Sequence, residues 1–539
     1  MRLLPYPRFF ARVATFALVA LAACHSAPLA GTGEPVPTVP PPAELLLEVS
    51  LPRLEGGLAG VAAYADHVKP GTGGLVSSQS MQALHSLMGV SSLDGARADA
   101  PAVLLVRSPK AGPPQALLVA VADEAKLRKS AAGIAIRIEG GHALLGPQAA
   151  VDALAPYAFG WVARKAAPAA PIAIVHVPAL LAAYRQDLMN GLEQMKTAMA
   201  STPGTASMGD IFDAEVSGFV ALLEQSSAIE IRLEASADDA GIDLALVPKP
   251  GTSLASFVAL QKPASDRLLR KLPAMKSTAF AAVGELHLGS LRASFQPFIE
   301  QIMARFLSVP LDDKIRAGLN AWFDAFTGEI AIVGDIAPEG MQFVELAGAS
   351  DGSKAAQASR SLFASLVGAG EHTLDNFGVK SVYTGIPDAG THDGVALSGY
   401  RVKVDLSSLP PASAKSYPFK NGMVTTFAGW DDVFGVAVGP TTDSAKVMGS
   451  VIDASRGKAP RLELATGLRA LLDSSRARGE SFAMVMNLSG VMASFAKVPA
   501  PAARSGLVFA FGFQGGRAHM RVALPAEHLL EIIAVTAGK

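Results

Sequence analysis

Apolar runs and stretches of helical spacing alternate along this chain in a few recurring arrangements. In the first, an apolar run leads straight into a helix pattern. It occurs at 44–64 (ELLLEVSLPRLEGGLAGVAAY), 171–192 (PIAIVHVPALLAAYRQDLMNGL), 278–302 (TAFAAVGELHLGSLRASFQPFIEQI) and 481–498 (SFAMVMNLSGVMASFAKV). In the second, two apolar runs flank a turn rich in Gly, Pro or Asp, and a helix pattern follows. It occurs at 102–127, 228–260, 328–363 and 507–535. Short apolar runs bounded by turn formers predict strands, and paired runs predict antiparallel hairpins.

A larger period joins these units. HALLGPQAAVDAL (142–154) matches FGVAVGPTTDSAKVM (434–448), each closing a strand at Gly-Pro (Gly146-Pro147 and Gly439-Pro440) before a helix pattern. Proline suits a first helical turn, where its missing N–H had no partner. Val247-Pro248 and Leu524-Pro525 rhyme in the same way. Residues 44–262 read strand-helix, hairpin-helix, strand-helix, strand-helix, hairpin-helix. Residues 277–539 repeat that order with an insertion near 370–428, and 263–276 form a linker. The fold expected is α+β: two tandem homologous domains with largely antiparallel sheets, each covered by helices.

The N-terminal stretch follows another logic. Arg2, Arg8 and Arg12 precede an apolar run of 11 residues, Val13–Ala23, and no acid occurs before Cys24. A spanning helix needs about 20 apolar residues, so residues 1–23 are expected to be a secretory signal. Cys24 is the only cysteine in 539 residues, and a lone thiol has no disulfide partner. Leu21-Ala22-Ala23-Cys24 resembles the lipobox of bacterial lipoproteins. That resemblance implies diacylglycerol on the Cys24 thiol, cleavage before it, and a membrane contact through the lipid. His25, rather than Asp, follows the cysteine, which by the family's sorting rule implies the outer membrane. Residues 24–43 hold six prolines and read as a stiff tether.

Composition narrows the function. Without the signal, 43 basic side chains face 47 acidic ones, a formal charge of −4. No basic field attracts nucleic acid. The body is similar, diffusely, to bacterial periplasmic proteins and lipoproteins of unknown function that open on a Pro-Ala-x-x-Leu strand and carry a TGEIAI-type strand (here Thr327–Ile332). That resemblance implies no catalytic residues.

Candidate chemistry is sparse. GASDG (Gly348–Gly352) fits G-x-S-x-G between a strand and a helix. Ser350 would be the nucleophile, with Asp393 or Asp431 and His519 or His528 as partners. Against this, Ser350 or Asp351 in the same position is a helix cap, and the matching stretch VAVADEAKL has Asp123 at a helix start and no serine. Asp388, His392 and Asp393 offer metal-ligand types, but sit in what reads as a hairpin tip. His176 lies in an apolar strand and is expected to be packed. Leu181, Tyr184, Leu188, Leu192, Met195 and Met199 form a helical stripe, echoed by Leu291, Phe295, Phe298, Ile302 and Phe306, expected as core or as an adaptable apolar groove. The expectation is therefore a non-enzymatic, lipid-anchored envelope protein without catalytic, metal or cofactor residues, whose duplicated body binds an envelope protein. The alternatives are a carrier or chaperone for a lipid or apolar peptide and, remotely, a serine hydrolase at Ser350.

Overall fold

The computed structural model describes residues 39–200, 218–275, 277–290, 292, 300, 312–337, 340–367, 371–376, 379–407, 422–440, 444–500 and 504–537. Residues 1–23, expected as a signal, Cys24, His25 and most of the expected tether lie outside the described residues, as do Leu291, Phe295, Phe298, Ile302 and Phe306 of the second stripe. The chain is mixed helix and sheet with antiparallel strands, as the hairpin patterns predict. It divides into two compact units: Met1–Arg185 with Ser226–Pro248 and His519–Leu530, and Gln186–Gln225 with Lys249–Ala518 and Glu531–Lys539.

The first unit is built on β1 (Leu45–Leu51), β2 (Ala102–Arg107), β3 (Gln115–Ala120), β4 (Ala135–Glu139), β5 (His142–Gly146), β6 (Ile172–His176), β7 (Ser226–Ala235) and β8 (Asp239–Pro248). Their order across the sheet is β4-β5-β3-β2-β1-β6-β7-β8, every pair antiparallel. Its helices include α1 (Ala59–Val68), α2 (Gly73–Met88), α3 (Glu124–Ser130) and α4 (Gln148–Gly160); α5 (Val177–Ala200) starts where β6 ends. Successive strand side chains point to opposite faces, so β2 feeds two cores. Val103 and Leu105 pack with Val151, Leu154 and Ala158 of α4. Ala102 and Leu104 pack on the other face with Leu54, Met88 and Leu127.

Towards β8 the same alternation makes the sheet two-sided. Val49, Ala173, Ile231 and Leu244 share one row, and Leu47, Val175, Ile229 and Leu246 the next. On the opposite face, Glu48, Ile174 and Glu230 align, beside Ser50, Ile172, Arg232 and Asp243. One face is apolar, and the other sets Glu48, Glu230, Arg232 and Asp243 among Ser50, Ile172, Ile174 and Ala245.

The second unit contains β9 (Phe280–Glu285), β10 (Phe326–Ala337), β11 (Gly340–Ala349), β12 (Glu371–Asn376), β13 (Val379–His392), β14 (Val395–Asp405), β15 (Met423–Trp430), β16 (Val433–Gly439), β17 (Glu480–Met486) and β18 (Leu507–Gly512). They lie in the order β12-β13-β14-β15-β16-β11-β10-β9-β17-β18, again antiparallel. Helices α6 (Ser253–Ala259), α7 (Asp313–Ala325), α8 (Gly352–Val367), α9 (Ser444–Ser455), α10 (Thr466–Ala477) and α11 (Leu488–Ala496) belong to it. Asp393-Gly394 joins β13 to β14 with both residues at positive φ, 48° and 79°, the conformation a two-residue hairpin turn requires.

One expectation needs correcting. The stripe along α5 is not a buried core over its length: Leu181, Tyr184 and Leu188 are half-buried, while Met195 is 51% exposed. Helical spacing sets a shared face, but whether that face is covered depends on what packs against it.

Candidate functional site

The sequence-derived candidates are each engaged locally. Ser350 follows β11, and both its amide (3.0 Å) and its hydroxyl (3.3 Å) donate to the Ala325 carbonyl. Asp351 takes the capping place: its carboxylate accepts the Lys354 amide at 3.1 Å, as Asp123 accepts the Lys126 amide at 3.0 Å at the start of α3. The glycines of the G-x-S-x-G pattern are explained by close packing. A Cβ on Gly348 would strike the Thr327 hydroxyl, and one on Gly352 would strike the Val433 carbonyl and the Trp430 backbone. His519 and His528 belong to the first unit and Ser350 to the second. His519 lies 3.4 Å from Asp243, and His528 is fully buried.

The segment 388–393, the end of β13 and its turn, is tied up in the same way. Asp388 accepts the Gly390 amide at 2.9 Å, and His392 Nε2 lies 2.9 Å from Asp453. Asp393 accepts from Lys458 (2.6 Å) and Arg456 (2.7 Å), and these bonds and charges hold its carboxyl below the usual carboxylate range. Asp431 lies 3.7 Å from Arg456. Among the described residues, no three His, Cys, Asp or Glu side chains are grouped to hold a metal, and no helix is long and apolar enough to cross a membrane.

On the mixed face of the first unit's sheet, buried Glu48 accepts from Tyr157 (2.9 Å) and Lys165 (2.8 Å). Burial, then the Glu48 charge and hydrogen bond, push the Tyr157 hydroxyl well above the usual tyrosine range. His176 lies on this face. Burial lowers its pKa despite the Glu48 charge, so its neutral form is favoured. This cluster ties α4 and the segment after it to β1.

The apolar face holds the feature that sequence reasoning missed. A cavity of about 460 Å³ lies between the sheet and α2, within the range of small-molecule sites. Its floor is Val49, Leu54, Ala102, Leu104 and Leu117, all buried. Its roof is the inner face of α2, where small residues Ser77, Ser80 and Ala83 leave space between Met81 and Leu84 and the sheet. Exposed Glu55, Gly56, Gly74 and Ser78 line its rim.

The cover is bonded within itself and, through the Tyr64 hydroxyl to the Leu524 carbonyl (3.0 Å), His67 beside Asp238 (3.3 Å) and the Gln115 side-chain amide to the Leu87 carbonyl (3.1 Å), to the rest of the unit, but buries few side chains. The Gly73 amide donates to Asp66 at 2.7 Å, and the Thr72 hydroxyl to the carbonyls of Lys69 (2.7 Å) and Ala65 (2.8 Å). A Cβ on Gly73 would strike the Asp66 carboxylate and the Ala62 carbonyl, so glycine lets the two helices meet. Yet none of α1 is buried, and in α2 only Gly73 and Met88 are. Beyond the cavity the apolar face continues through half-buried Val175, Ile229, Ile231 and Leu244 to Ile242, 39% exposed.

No protein-family model and no curated protein matches the chain. Among solved structures, crystal form I of TP0453 is similar over 49% of this chain and 96% of its own, at 10% identity and a TM-score of 0.22. Crystal form IV of TP0453 is similar over 52% and 99%, at 11% identity and a TM-score of 0.23.

Proposed function

We propose that this chain is a non-enzymatic binding protein of the bacterial cell envelope, anchored by a lipid on Cys24 and carrying an apolar ligand in its first unit. The observation that carries the ligand is the apolar cavity beneath α2, with its lightly packed cover. Enclosing an apolar ligand removes its surface from water, worth roughly 25 cal/mol per Å². A helical pair with few buried side chains is a cover that opens at low cost. The anchor rests on the lipobox and on the lone cysteine, and the outer membrane on His25.

The body is read as a tandem duplication over 44–262 and 277–539. Strand order supports this: β4-β5-β3-β2-β1-β6-β7 corresponds, position by position in the sequence, to β15-β16-β11-β10-β9-β17-β18. The extra strands β12 to β14 fall in the insertion near 370–428. A protein partner is the second reading, favoured by exposed Met492, Phe495 and Val498 in and just after α11.

Two measurements test the proposal. Solvent extraction of the purified full chain should release about one apolar compound per protein; an empty extract contradicts the carrier. The membrane-extracted protein should begin at an acylated Cys24, and Cys24→Ser should abolish acylation. Acylation that survives the substitution contradicts the anchor.

A further inference from the structure

We infer that the ligand of this cavity is an acyl chain bearing an uncharged, hydroxylated head, of the monoacylglycerol class, and not a fatty acid or a phospholipid. This rests on the carrier reading and comes from the chemistry of the lining. The floor has only aliphatic side chains, which accept a hydrocarbon chain and nothing polar. Two hydroxyls of the lining, one on the rim and one in the roof, act as acceptors. The hydroxyls of Ser78 and Ser80 already donate to the carbonyls of Leu75 (3.1 Å) and Ser77 (2.8 Å) of their own helix, so what they offer a ligand is lone pairs. Glu55, an acceptor when ionised, is the only ionisable residue in the lining.

A hydroxylated head donates to these acceptors. A carboxylate or phosphate cannot donate, finds no lysine, arginine or histidine in the lining, and meets Glu55 as a like charge. Desolvating an anion without a partner is unfavourable. At the start of α2, beside the cavity, one of the amides that attract an anion is spent. The Gly73 amide is already taken by the Asp66 carboxylate at 2.7 Å.

The test uses the full chain with Cys24→Ser, purified without detergent and delipidated. At pH 8 it is titrated by calorimetry with 1-monooleoylglycerol and with oleate, each below its self-association threshold. The expected result is a 1-monooleoylglycerol Kd at least about tenfold lower than that for oleate. Ser77→Trp, which fills the cavity from α2, should abolish binding. Gln79→Trp, exposed on the same helix and outside the lining, should not. Thermal melting checks that the variants fold, and Ala83→Phe must reproduce the loss from a second lining position. Oleate binding as tightly as 1-monooleoylglycerol and blocked by Ser77→Trp would overturn the head-group assignment and leave the carrier standing. Binding of neither would overturn both. Binding untouched by both cavity-filling variants would overturn the cavity as the site.

Discussion

Gly352 separates two explanations of one motif. The chain spells G-x-S-x-G there, and from the sequence alone the serine draws the eye. The physical constraint is on the glycine, whose missing Cβ lets the start of α8 meet the β15–β16 hairpin. That contact joins residues about 80 positions apart, which is why the sequence carries the motif but not its reason. Gly352→Ala should therefore destabilise the fold by about 1–3 kcal/mol through overpacking. Ser350→Ala, which loses a 3.3 Å bond at an exposed site, should cost under about 1 kcal/mol. Urea unfolding of both variants checks this. A costly Ser350→Ala with a tolerated Gly352→Ala would reverse the assignment. Asp266 gives a second test at this scale. Burial works to raise its carboxyl, but bonds to Arg270 and Arg469 and the charge of Arg476 outweigh it and lower the pKa. A folded pKa below the unfolded value of about 3.9 stabilises above that value, and the contribution is lost as pH falls through the folded pKa. Asp266→Asn should cost about 2 kcal/mol at pH 7. It should also flatten the fall in stability below pH 4; an unchanged acid profile would rule out this role.

Whether an element could be read from the sequence depended on its period. The hairpin at β7 and β8 was legible because Ile229, Ile231 and Leu233 alternate with Glu230, Arg232 and Glu234, and the structure puts the two sets on opposite faces. Helix α2 was not. Its inner face carries Ser77, Ser80 and Ala83 among a few larger apolar residues, so it has no strong 3.6-residue signal, and its lack of bulk is what leaves the cavity. Few buried contacts mean a low local opening energy. Amide hydrogens of 59–88 should exchange faster than those of β1, β2 and β3, by about tenfold or more, and bound ligand should slow them. Equal protection of helices and strands in the ligand-free chain would contradict a movable cover.

For the whole molecule, the sequence carried the architecture further than the chemistry. Mixed helix and sheet and antiparallel pairing were readable because each is a local pattern. The cavity was not, because its walls come from β1, β2, β3 and α2, brought together only by folding. The proposed lipid anchor is the reverse case, read entirely from residues 1–24. The most direct measurement is native mass spectrometry of the Cys24→Ser chain, purified without detergent, beside the same chain carrying Ser77→Trp. The carrier reading predicts one reproducible extra mass of lipid size on the first protein and none on the second. A bare protein mass in both, or an adduct that Ser77→Trp leaves in place, would contradict it.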